Sequence, residues 1–85
     1  MIGITVASNL WSTSILPEGL IEKWLVQDGA FVKNGEPVVE IRIESALHEL
    51  QAPSDGQIVI EALANSIVEP GTVIGRVAPI SKPRN

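Results

Sequence analysis

Val39-Glu40-Ile41-Arg42-Ile43-Glu44-Ser45-Ala46-Leu47-His48-Glu49-Leu50-Gln51-Ala52-Pro53-Ser54-Asp55-Gly56 is the stretch that decides the fold. Val39, Ile41 and Ile43 alternate with Glu40 and Arg42, the period of two of a strand with one buried face. Beyond Glu44-Ser45-Ala46 a second run places His48, Leu50 and Ala52 on one side and ends at Pro53-Ser54-Asp55-Gly56, whose residue types favour a turn. Runs at 38–43 and 47–52 predict an antiparallel hairpin with Ser45 at its exposed tip.

Turn signals recur on both sides of this hairpin, at Pro17-Glu18-Gly19, Asp28-Gly29, Asn34-Gly35-Glu36-Pro37 and Pro70-Gly71. Between them lie further candidate strands at 2–6, 20–26, 57–63 and 73–78, with short pieces near 31–32 and 67–68. No stretch shows helical periodicity. The chain also repeats its own pattern. Gly19 to Val26, then Val32, Gly35 and Val38, is followed by Gly56 to Leu63, then Val68, Gly71 and Ile74. Gly19 and Gly56 are 37 residues apart and Gly35 and Gly71 are 36 apart, so the second copy is one residue shorter. Asn65-Ser66 stands near Asp28-Gly29 in this alignment and is expected to make the tighter turn. Two copies suggest two quasi-symmetric sheets and not a solenoid, which needs about three repeats. The predicted fold is all-β, a flattened barrel or sandwich of two small sheets with pseudo-twofold symmetry. Alternation assigns its core to Ile21, Val26, Val39, Ile41, Leu50, Ile58, Ile60 and Ile74. Trp24 and Phe31 read as structural.

With 85 residues the chain makes one small domain, over residues 1–79, and 80–85 read as a flexible polar tail. It has no cysteine, so burial must hold the fold, and thiol nucleophiles and thiolate metal sites are excluded. A formal charge of −4 argues against nucleic acid, which calls for clustered Lys and Arg. Every apolar run is far shorter than the roughly 18 residues of a membrane span. The start, Met1-Ile2-Gly3-Ile4-Thr5-Val6, reads as a first strand and not a signal peptide. A cytoplasmic location is the default expectation. His48 is the lone histidine and reads as a half-buried hairpin residue. No Ser-His-acid spacing or metal-ligand cluster accompanies it. No residue set supports catalysis, so the chain is expected not to be an enzyme.

The ordered set of Glu18-Gly19 through Val32, Gly35-Glu36-Pro37-Val38-Val39-Glu40-Ile41, the hairpin with Ala52-Pro53 and Asp55-Gly56, and Val68-Glu69-Pro70-Gly71-Thr72-Val73-Ile74 resembles the lipoyl and biotinyl carrier domains. The resemblance runs over residues 2–78. In that family a lysine at the hairpin tip precedes an Ala-Pro pair and is amidated with lipoate or biotin. Counting back from Ala52-Pro53 puts Ser45 in its place. Glu44 and Ala46 are similar to the Asp-Lys-Ala of lipoyl domains and unlike the Met-Lys-Met of biotinyl domains. A serine hydroxyl supplies no amine for the amide. Lys23 and Lys33 lie in the first half and Lys82 in the tail, none at the tip. Phosphopantetheine on serine is rejected, because its carriers are helical and present Asp-Ser-Leu.

The resemblance therefore implies no cofactor on Ser45, and lipoate if the native residue were lysine. It implies 2-oxo acid dehydrogenase or acyltransferase-type partners, and a lipoate ligase. Contact would be made through the tip and through the loop carrying Asn9, Leu10 and Trp11, the other reading of Trp11 being a lid folded back over the core. A monomer, free-standing or excised from a larger chain, is expected. The function implied is a non-enzymatic interaction module of an acyl-transfer system. The alternative is a swinging-arm carrier whose attachment lysine has been replaced by Ser45.

Overall fold

The computed structural model describes residues 2–7 and 18–79. Among them, eight strands follow in order: β1 Ile2–Thr5, β2 Gly19–Trp24, β3 Phe31–Val32, β4 Pro37–Ile43, β5 Ala46–Gln51, β6 Gly56–Ile60, β7 Ile67–Val68 and β8 Val73–Ala78. They form two antiparallel four-stranded sheets, ordered β1-β8-β6-β3 and β5-β4-β2-β7. The sheets remain separate, so the architecture is the flattened sandwich and not a closed barrel.

Exchanging β1 with β5, β2 with β6, β3 with β7 and β4 with β8 converts one sheet order into the other. The connections obey the same operation. Gly35 N donates to Ala52 O and Ala52 N to Glu36 O; Gly71 N donates to Val6 O and Val6 N to Thr72 O. Gly29 N donates to Ile58 O, and Asn65 N to Ile21 O. Each half lends its short strand to the other half's sheet, so the halves interlock.

The structure moves the one-residue difference between the copies to a new place. In β2 the ladder pairs Ile21 with Ile41 and then Lys23 with Glu40, skipping Glu22; in β6, Ile58 with Val77 is followed directly by Val59 with Arg76. The extra residue is therefore Glu22, a β-bulge. The turns, expected to differ, are equal in length: Ala30 N donates to Gln27 O as Ser66 N donates to Leu63 O. Gly29 and Asn65 occupy the same left-handed position, at φ 90° and 74°. Asn tolerates that region better than other side-chain-bearing residues, because its amide can bond locally.

Of the predicted core, Ile21, Val39, Ile41, Ile58 and Ile74 are fully buried. Val26 and Leu50 are half-buried against it, and Ile60 is half-buried. The core also takes in Ile4, Val6, Val32, Val38, Ile43, Ala52, Val68 and Val77. Val38 and Val39 both point inward because the β4–β5 register shifts between Pro37 and Val39. Strands expected at 20–26 and 57–63 end earlier, at Trp24 and Ile60, where the chain turns away from the ladder. Trp24 is structural: its Nε1 donates to Ala62 O at 2.8 Å, and its ring packs over Gly75. Phe31 corrects the expectation, being 67% exposed. In a two-residue strand only one side chain faces inward, and Val32 takes that place.

Candidate functional site

The hairpin is built as its alternation requires. Ile43 and Ile41 anchor the end of β4 in the core, and Ile43 pairs with Ala46 of β5. Only Glu44 and Ser45 lie between, so the chain reverses in two residues immediately beyond a buried isoleucine. Glu44, Ser45 and Ala46 are all exposed. Glu44 takes φ 56°, a left-handed conformation that two-residue hairpin turns demand at their first central position and usually fill with Gly, Asn or Asp. A short turn on a buried anchor fixes where the Ser45 side chain leaves the backbone, at an exposed position of the tip.

Behind the tip, Leu47, Arg42, Leu20 and Ile67 share one cross-strand row over β5, β4, β2 and β7. Their neighbours Ile41 and Ile21 are buried, so this row faces outward. The bulged Glu22 reaches the same face, where Arg42 Nε donates to its Oε1 at 2.8 Å. That hydrogen bond holds the Glu22 carboxyl below the usual carboxylate range and raises Arg42. A groove of about 250 Å³ beside the tip is lined by Glu18, Gly19, Leu20, Arg42, Glu44 and Ile67. This groove has no local signal in the sequence, because its residues come from separate segments and only the register of the strands brings them together.

His48 sits on the core-facing side opposite Ile41, half-buried, while Ser45 stands at the tip. The structure does not bring them together as a nucleophile and base. Lys23 lies opposite Glu40 on the outer face of β2, and Lys33 lies in the β3–β4 connection, at the far end of β4 from the tip. Lys82 and the loop residues Asn9, Leu10 and Trp11 fall outside the described residues. Among the described residues no group of three or more His, Asp or Glu is placed to hold a metal ion. Among the described residues no helix is long and apolar enough to cross a membrane. A cofactor joined by an amide needs an amine at the tip, and Glu44, Ser45 and Ala46 provide none; the tip does not fit lipoate or biotin in that linkage.

Comparison with known proteins supplies the context for this hairpin. The biotin/lipoyl family model, described as biotin-requiring enzyme, matches residues 12–77. Among solved structures, the lipoyl domain of the 2-oxoglutarate dehydrogenase complex from Azotobacter vinelandii is similar, with a TM-score of 0.69 at 24% identity, covering 88% of this chain and 95% of that one. No curated protein matches the chain.

Proposed function

Because the chain belongs to the biotin/lipoyl family, whose domains are carriers and not catalysts, we propose that it is a lipoyl-type domain that has kept the carrier's hairpin and lost its cargo. The observation that carries this reading is Ser45 in a two-residue exposed turn between Ile43 and Ala46, seven positions before Ala52. In a carrier the cofactor performs the chemistry and the protein supplies position. Tethering raises the local concentration of the cofactor at successive active sites. Without the amine the arm is gone, while the presenting surface remains.

The role that fits is a non-enzymatic module that docks in a 2-oxo acid dehydrogenase-type or related acyl-transfer assembly, as scaffold, spacer or competitor. The tip residues Glu44, Ser45 and Ala46 and the loop with Asn9, Leu10 and Trp11 are its proposed contacts. Trp11 is suited to anchoring such a contact, since a large amphipathic ring contributes much area at low entropic cost. Trp11→Ala is expected to weaken docking to a dehydrogenase component. Mass spectrometry of the protein from its native host tests the loss of cargo. The expected result is an unmodified peptide across residues 38–52; a lipoyl or biotinyl increment on the chain contradicts it.

A further inference from the structure

The two sheets present different outer faces. On the sheet that carries the hairpin, the row Leu47–Arg42–Leu20–Ile67 crosses all four strands. Leu47 and Ile67 at its ends are 51% and 67% exposed. Three inter-strand steps make the row roughly 14 Å wide, about the breadth of one helix. Single exposed apolar residues are ordinary; here Leu20 and Ile67 lie on one side of Arg42 and Leu47 on the other, three aliphatic side chains in one row with charge between and beside them, a composition that suits an interaction surface.

The charges beside the row name its partner. Glu40 and Glu49 face each other directly across β4 and β5, an arrangement that repels. With Glu22 they make three carboxylates on this face against Lys23 and Arg42; Arg42 donates to Glu22 and Lys23 stands opposite Glu40, so Glu49, on the edge strand, faces a carboxylate only. The pseudo-twofold replaces Glu40 with Arg76 and Glu49 with Gly3, since Arg76 pairs with Gly3 as Glu40 pairs with Glu49. The other sheet thus carries neither carboxylate of the pair. The equivalent of its apolar row includes Ala78, Gln57 and Phe31, in which glutamine replaces Leu20. Acidic character and the exposed aliphatic row coincide on one face only.

We infer that the outer face of the β5-β4-β2-β7 sheet docks an amphipathic segment of a partner protein, with aliphatic side chains along its centre and Lys or Arg on its flanks. The aliphatic side chains lie on Leu47, Leu20 and Ile67, and a cation seated between Glu40 and Glu49 relieves their repulsion. A second copy of this chain is a poor occupant, because two such faces would oppose acid to acid. The inference deepens the reading of the domain as a docking module and rests on it, but it does not depend on what Ser45 carries.

The test is an amide-shift titration of the full chain with two synthetic helical peptides, both leucine-striped, one flanked by lysine and the other by glutamate. The lysine peptide is expected to shift Leu20, Arg42, Leu47 and Ile67, and to bind more weakly as salt is raised. Leu47→Ser with Ile67→Ser should weaken it about tenfold, with the unfolding midpoint nearly unchanged because both side chains are exposed. Glu49→Lys should shift preference towards the glutamate peptide. Equal binding of both peptides, no binding of either, shifts centred on Phe31 and Gln57, or self-association through this face would each overturn the inference. None of these outcomes bears on the mass of the native protein, so the two readings fail separately.

Discussion

The two halves of the sandwich share one backbone plan and use it differently. Ile21 and Ile58, Val32 and Val68, and Val38 and Ile74 are equivalent and buried, and Gly35 and Gly71 make the same hydrogen bonds. Where the halves diverge, the molecule is specialised. The first half inserts Glu22 as a bulge, and that bulge meets Arg42 on the outer face. The first half also sets Trp24 beside Val39, where the second sets Ile60 beside Gly75. A large ring on one sheet is thus matched by a missing side chain on the other. β4 turns into β5 through Glu44-Ser45, while β8 instead pairs with the chain's first strand. Symmetry supplies the fold, and the departures from it supply the tip and the Arg42–Glu22 pair on the outer face beside it.

The sharpest way to break this comparison is at Trp24. Trp24→Ala should remove the ring that spans the sheets and leave the Ala62 carbonyl without its donor, costing about 3 kcal/mol in denaturant unfolding. Gly75→Ala attacks the same fit from the other side. Its Cβ would stand 2.7 Å from Val59 O and 3.3 Å from the Trp24 ring, and a loss of about 2 kcal/mol is expected; Val39→Ala at the equivalent site should instead leave a cavity. At the shared left-handed turn, Asn65→Ala should cost about 1 kcal/mol, whereas Asn65→Gly, which copies Gly29, should be nearly neutral. Equal effects of the two substitutions would contradict the equivalence of the turns.

The smallest effect concerns the bulge. The Glu22 carboxyl titrates below its ordinary value in the folded protein because Arg42 donates to it. The unfolded chain therefore binds the proton first as pH falls. The pair's contribution is present above the unfolded carboxylate pKa and is lost as pH drops through the lower folded value. Glu22→Gln should flatten this part of the acid limb in unfolding midpoints measured across the carboxylate range. An unchanged limb would show that the bulged side chain does nothing for stability.

The hairpin, the order of the strands and the two-copy plan were legible in the sequence because alternation and turn residues are local signals. Ser45 at the tip followed from counting back from Ala52. What escaped was set by pairing between distant strands. The bulge at Glu22 looks like ordinary alternation until β4 is laid beside β2, and the inward turn of Val38 depends on the register of β5. Phe31 read as structural, yet its strand has one inward position and Val32 fills it. The groove and the apolar row were invisible for the same reason, since Leu20, Arg42, Leu47 and Ile67 meet only across strands.

The central claim is that the tip retains the geometry of an attachment site and lacks only the amine. Intact mass spectrometry of Ser45→Lys, produced with a lipoate ligase and lipoate beside a lipoyl domain as control, tests it most directly. The account predicts a single lipoyl increment located at position 45 in the variant and none in the unsubstituted protein. A variant that stays unmodified while the control is fully lipoylated would contradict it, and would mean that the hairpin no longer presents its tip as a carrier does.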